Sequence, residues 1–248
     1  MDTTLIFLHG FPLNATCWKP QVDYFKNKYK VFTPDLRGHG KALAGSGPWM
    51  LQHFVNDLKI YMDEHKILKA VLCGLSMGGY IALQFMKDYP ERVSALVLCD
   101  TRADADSNEV KDNRYKTILK MEKEGMTVFA EDFSMLLLGA WTLKNKPQIQ
   151  KDVKKIILDN KTENMSMTLG ALASRSDSVS TLKNIKCPTL VLVGAEDKIT
   201  SVDMNELMAK KIASVTFRVI AQAGHLSNVE QPQVFNEHLE QFLIGASL

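Results

Sequence analysis

Nothing in this chain of 248 residues approaches the ~18 consecutive apolar residues that crossing a bilayer requires. It also lacks an excess of either charge: 30 Lys+Arg stand against 28 Asp+Glu, a formal net charge of +2. That balance supplies no basic field for nucleic acid or an anionic membrane surface, so neither is expected as a partner. Cysteine is scarce, and Cys17, Cys73, Cys99 and Cys187 show neither CxxC pairing nor a neighbouring His cluster at zinc spacing. A disulfide framework and a structural metal are therefore not expected, and Cys73, Cys99 and Cys187 read as small buried hydrophobes. The opening residues MDTTLIFLHG carry no basic segment ahead of a long apolar one, so no signal peptide is recognised. A cytoplasmic protein without metal or cofactor is the resulting expectation.

What is present is ordinary in amount and ordered in pattern. Hydrophobic residues make up 46% and charged residues 23%, enough for one large domain or a domain carrying an insertion. Short β-branched and aliphatic runs recur at Leu5–Leu8, Lys30–Thr33, Ala70–Cys73, Ala95–Cys99, Thr189–Val193 and Thr216–Ile220. Their near-continuous apolar character predicts buried strands of a mostly parallel sheet rather than one-sided strands. Amphipathic stretches at Cys17–Lys28, Leu51–His65, Met77–Tyr89, Met204–Ile212 and Gln233–Leu243 predict flanking helices, so the fold class is α/β. From about residue 102 to 183 the strand signal vanishes, leaving helical patterns at Tyr115–Glu124, Val128–Leu138, Pro147–Leu158 and Met165–Ala173. The expected division is a core of residues 1–101 and 184–248 with a helical cap, 102–183, over the carboxyl ends of the strands, where sites on such sheets gather.

Gly74-Leu75-Ser76-Met77-Gly78 sits between a predicted strand and a predicted helix, the context in which Gly-x-Ser-x-Gly forms a sharp turn that lifts a serine hydroxyl above the sheet. Side chains in place of the glycines would collide with neighbouring backbone. The free N–H of Met77 at the helix start is aimed where an oxyanion would form. A serine needs a base to take its proton and an acid to orient that base. Of six histidines, His53, His65 and His238 fall in helical patterns, whereas His225 follows the last predicted strand and is the candidate base. Asp197, after the strand ending at Val193, is the candidate acid; Glu196 beside it and Asp100 at the end of another strand are rivals. The loop His9-Gly10-Phe11-Pro12 after the first strand would bring the N–H of Phe11 as the second oxyanion donor. His9 and His39 are expected to shape loops rather than titrate.

These motifs, with Pro34-Asp35-Leu36-Arg37-Gly38-His39-Gly40 and the run from Gly224-His225 to Glu230-Gln231-Pro232, resemble the α/β-hydrolase family over nearly the whole chain. Asp100-Thr101-Arg102-Ala103 and Ser174-Arg175-Ser176-Asp177-Ser178 resemble bacterial esterases and 3-oxoadipate enol-lactonase-like members. The resemblance implies an α/β-hydrolase fold in which the family's N-terminal β-hairpin is missing, placing Leu5–Leu8 nearer an edge that a second copy could cover as a homo-oligomer. A serine at the elbow, in place of the aspartate of similar dehalogenases and epoxide hydrolases, implies acyl-enzyme hydrolysis of a small ester or lactone. A non-hydrolytic acyltransferase or lyase, or a small-molecule receptor, is the alternative on the same residues. Leu75, Phe129, Phe133, Trp141 and Leu226 are expected to line the pocket, and Met121, Met126 and Leu136 are further candidates in the cap.

Overall fold

A computed structural model describes residues 3–248. Its strands are β1 (Thr4–Leu8), β2 (Lys30–Phe32), β3 (Ala70–Leu75), β4 (Val93–Cys99), β5 (Thr189–Gly194) and β6 (Val215–Ile220). Among the described residues they form one six-stranded sheet in the order β2-β1-β3-β4-β5-β6, parallel throughout. Every residue of β1, β3 and β5 is buried, as is β4 but for its second residue. This is why these runs carry apolar side chains on both faces.

Two of the six predicted strands are not buried. β2 and β6 form the sheet's two edges and are largely half-exposed or exposed. Apolar composition marks a strand but does not reveal its place in the sheet, and an edge needs only one covered side. Leu5–Leu8 does lie near an edge: β1 is second from it, fully buried between β2 and β3, and the outer strand on that side is β2.

Around the sheet lie α1 (Lys19–Phe25), α2 (Leu51–Glu64) and α3 (Met77–Asp88), and after β5 come α10 (Val202–Ala209), α11 (Ser227–Glu230) and α12 (Pro232–Gly245). Helix α1 packs on α12, and α2 on α3. The predicted Cys17–Lys28 helix is shorter and compound: a 3₁₀ turn, Ala15–Trp18, capped by the Asn14 side chain, hands over to α1 with Pro20 in its first turn. Proline costs nothing there because that N–H has no helical partner.

Between β4 and β5 run α4 (Asn108–Glu124), α5 (Met126–Leu137), α6 (Ala140–Asn145), α7 (Pro147–Leu158), α8 (Thr162–Ala173) and α9 (Val179–Leu182). Helix α4 packs on α8, α5 on α7, and α4 on α5. Helix α4 begins seven residues before the predicted start at Tyr115, capped by Ser107. Its first turns face solvent and so carry no apolar period to read.

The order of strands reverses beside β1: the chain runs outward from β1 to β2, then returns to β3 on β1's other side. Loops leaving β1 and β3 therefore diverge and leave a crevice at the strands' carboxyl ends. The loop His9–Pro12 and Ser76 both sit there.

Candidate active site

Ser76 joins β3 to α3 with φ 51° and ψ −110°, a conformation that costs a non-glycine residue on the order of 1–3 kcal/mol. The turn is held by its surroundings. The Ser76 N–H donates to the Cys99 carbonyl on β4 (2.9 Å), and the Thr101 hydroxyl donates to the Ser76 carbonyl (2.8 Å). The two glycines of the motif are required by contact. A Cβ on Gly74 would lie 2.4 Å from the Gly78 oxygen, and one on Gly78 would lie 2.2 Å from the Leu8 oxygen.

His225 reaches this serine. Its Nε2 lies 2.8 Å from Ser76 Oγ, which donates to it, and its Nδ1–H donates to Asp197 Oδ2 at 2.7 Å. Asp197 is held in turn by the N–H groups of Ile199 (2.8 Å) and Thr200 (3.0 Å) and by the Thr200 hydroxyl (2.7 Å). All three side chains are buried. Burial disfavours charge on both partners of the His–Asp pair. For His225 the Asp197 carboxylate outweighs it and raises the pKa above the usual imidazole value. For Asp197 the imidazole and the Thr200 donors outweigh burial and hold the carboxyl below its usual range.

The rival acids are employed elsewhere. Asp100, also in a positive-φ conformation, accepts from the Gly194 N–H (2.8 Å) and the Ser227 hydroxyl (2.6 Å). Burial, then the nearby Asp197 charge, raises its pKa well above the usual carboxylate value. Glu196 turns away to accept from the Trp141 N–H at the start of α6 (2.9 Å).

His9 and His39 are buried beside one another, ring centroids 5.0 Å apart. His9 donates from Nδ1 to the Gly10 carbonyl (3.0 Å) and accepts at Nε2 from the Leu36 N–H (2.9 Å). Burial lowers its pKa to about 4 and that of His39 to about 3, so both are neutral scaffold at pH 7. The N–H groups of Phe11 and Met77 meet no protein acceptor among the described residues.

The cleft at Ser76 and His225 is walled by Phe11, Tyr80, Arg114, Phe133, Leu137, Leu172 and Ile199. Of the expected pocket residues Phe133 is there, and Phe129 stands behind it, 5.0 Å between ring centroids and 6.2 Å from Phe11. Leu75, Trp141 and Leu226 are not in this wall. Leu75 and Leu226 are buried in the core, and Trp141 instead lies under the Lys146 ammonium, 5.2 Å from its ring centroid. Met121 is also core, and Leu136 is exposed. Tyr80, Arg114, Leu137, Leu172 and Ile199 carried no sequence signal, since a helix pattern does not tell which neighbour a face will meet.

Glu230 has a part that the motif alone did not disclose. Its buried carboxylate accepts from the N–H groups of Gly139 (2.8 Å), Gly224 (2.8 Å) and Leu226 (3.2 Å). It thus ties the loop bearing His225 to the stretch between α5 and α6. The His225 N–H completes the tie by donating to the Leu137 carbonyl (2.9 Å).

The family model described as alpha/beta hydrolase fold matches residues 3–232. The chain is 29% identical to 3-oxoadipate enol-lactonase 2 of Acinetobacter baylyi over 236 residues, 95% of this chain and 86% of that protein. Among solved structures it is similar to a thermophilic esterase from Thermogutta terrifontis, at 36% identity and a TM-score of 0.94, covering 98% of this chain and 90% of that one. It is also similar to the enol-lactonase from Burkholderia xenovorans LB400, at 26% identity and a TM-score of 0.90, covering 98% and 91%.

Proposed function

The chain belongs to the α/β-hydrolase fold family, and from that premise we propose that it is a serine hydrolase cleaving a carboxylic ester or lactone through an acyl-enzyme. The observation that carries this reading is the relay Ser76 Oγ to His225 Nε2 at 2.8 Å and His225 Nδ1 to Asp197 Oδ2 at 2.7 Å. Names of similar proteins, esterase and enol-lactonase, support the same bond type.

In this mechanism Ser76 Oγ attacks the carbonyl carbon as its proton passes to His225 Nε2, and the carbonyl electron pair moves to oxygen. The unpartnered Phe11 and Met77 amides receive that oxyanion. Asp197 stabilises the imidazolium without taking its proton. Collapse expels the alkoxide, which His225 protonates; in a lactone the alkoxide stays tethered to the acyl group. Water then attacks the acyl-serine, giving its proton to His225, and release of the acid restores Ser76. Helices α4–α9, residues 102–183, act as the cap: Phe133, Leu137 and Leu172 give the cleft an apolar wall that suits small to medium acyl groups.

Covalent labelling of Ser76 by a fluorophosphonate, and steady-state release of acid from methyl and p-nitrophenyl esters, test the reading. Equal labelling and turnover in Ser76→Ala would overturn it. Transfer of the acyl group to an added alcohol or thiol with no free acid formed would replace hydrolysis with acyl transfer.

A further inference from the structure

Three consecutive residues at the end of β4 hold all three segments that carry the relay. The Cys99 carbonyl accepts from the Ser76 N–H (2.9 Å), and the Thr101 hydroxyl donates to the Ser76 carbonyl (2.8 Å). Between them, Asp100 turns to the other two segments. Its Oδ1 accepts from the N–H of Gly194 (2.8 Å), where β5 ends and the turn to Asp197 begins. Its Oδ2 accepts from Ser227 Oγ (2.6 Å) and, more loosely, from the Ser227 N–H (3.3 Å), just beyond His225. The acid and base loops press together at that point: a Cβ on Gly194 would lie 2.0 Å from the Gly224 oxygen and 2.5 Å from the Ala223 oxygen.

Keeping an aspartate here costs free energy. Asp100 is fully buried, stands near the Asp197 charge, and has a φ of 45°, a left-handed conformation that any side chain disfavours. The sheet does not need it. Strands β4 and β5 are already paired by backbone up to Cys99 and Leu192, and the Asp100 N–H itself donates to the Leu192 carbonyl (2.8 Å). What the carboxyl group adds lies past that ladder, in the two loops that carry Asp197 and His225. The tie to Ser227 needs no charge: the serine hydroxyl donates to a carboxylate, and a carboxylic acid O–H would donate to the serine oxygen. Ser76 and Asp100 are both positive-φ residues, linked through the Cys99 carbonyl, and such strain persists only where the surroundings over-determine it.

We propose that Asp100 is the positioning residue of the relay: it locks the turn bearing Asp197 and the loop bearing His225 to the strand end that also holds Ser76. The inference rests on the ester-cleaving reading above and deepens it. Asp100 touches no reacting atom. It sets, from one point, how far His225 stands from Ser76 and from Asp197, and a shift of about 1 Å in such a geometry can cost on the order of 100-fold in rate.

The test uses Asp100→Gly, because glycine accepts the positive φ without strain and removes only the carboxyl group. Fluorophosphonate labelling taken to its end point counts competent Ser76 sites, and kcat on p-nitrophenyl and methyl esters is expressed per labelled site. Asp100→Gly is expected to lower that kcat about 10–100-fold and to slow labelling in parallel, with KM within about twofold of wild type. Asp100→Asn keeps an acceptor for Gly194 and gains a donor for Ser227 Oγ, so it should return to within about threefold of wild type. Wild-type kcat per labelled site in Asp100→Gly, with only Tm lowered, would make Asp100 a structural tie and overturn the inference. So would Asp100→Asn as slow as Asp100→Gly. If Asp100→Gly does not fold, Ser227→Ala decides: losing the tie to the base loop alone should lower kcat per site about 3–10-fold, and an unchanged kcat overturns the inference. A wild type that neither labels nor turns over refutes the ester-cleaving reading, and this inference with it.

Discussion

The two sides of the cleft are built by different rules. On the core side each functional group follows a strand end, and hydrogen bonds of the backbone set its position: the Ser76 N–H bonds to β4, the amides of Ile199 and Thr200 hold Asp197, and the N–H groups of Gly224 and His225 are held by the Glu230 carboxylate and by the Leu137 carbonyl of the insertion. On the insertion side Phe133, Leu137, Leu172 and Arg114 come from helices that meet the core through side chains and a few polar ties. Backbone placement tolerates almost no change of residue type. Helix faces tolerate many. In the proposed mechanism bond-breaking belongs to the first side and choice of substrate to the second.

Replacing the core side should give the largest losses. Ser76→Ala is expected to lower kcat about 10⁴–10⁶-fold on any ester, without preference for the charge or length of its acyl chain; a loss confined to one substrate would place Ser76 on the selective side instead. Asp197→Asn should cost about 10⁴-fold in kcat with Ser76 still in place. It also bears on pH. The base must be neutral to act, and Asp197 holds the His225 pKa above the usual 6.5, so wild-type kcat/KM should rise with pH through a limb centred above 6.5. In Asp197→Asn burial acts unopposed by that charge, and the limb should move to lower pH, as a pH–rate profile on a neutral ester would record. An unmoved limb would mean that another group titrates.

The insertion side should fail by stability and selectivity. Asp106→Asn leaves the guanidiniums of Arg102, Arg114 and Arg175, which share that buried carboxylate, facing one another, and about 3–5 kcal/mol of destabilisation is expected. That corresponds to a fall in Tm of roughly 10 °C for a domain of this size, readable by scanning calorimetry. Glu230→Gln, on the core at its seam with the insertion, loses the charge accepting from Gly139, Gly224 and Leu226, and about 1–3 kcal/mol should go with it. Because those amides lie on both sides of the cleft, it should lower kcat while leaving the secondary structure intact by circular dichroism. Phe133→Ala should have the smallest effect, raising KM for longer acyl chains by roughly tenfold and changing short-chain turnover little, since about 1–2 kcal/mol of apolar contact is lost. Equal effects on short and long chains would show that Phe133 is core rather than wall.

Strand runs, the elbow glycines and the positions of Ser76, Asp197 and His225 were legible because each is a local demand: a strand covered on both faces needs apolar residues, and a turn with backbone at 2.2–2.4 Å of an absent Cβ needs glycine. The edge positions of β2 and β6, the wall residues Tyr80 and Ile199, and the exclusion of Leu75, Trp141 and Leu226 were not legible. Each depends on which surface packs against which, and no periodicity encodes that. Glu230 shows the boundary: the sequence marks it in a motif, but its partners lie 4–91 residues away.

The amino-acid sequence by itself determined the parallel α/β core, the helical interval between β4 and β5, and the residues that stand at the strand ends. Steric and hydrogen-bonding rules act there within a few residues of chain. Only the tertiary structure decided that Arg102, Arg114 and Arg175 share one carboxylate and that one of them faces Ser76. Charges spread over 74 residues acquire a net effect only when folding has brought them within a few ångströms in a place water does not screen.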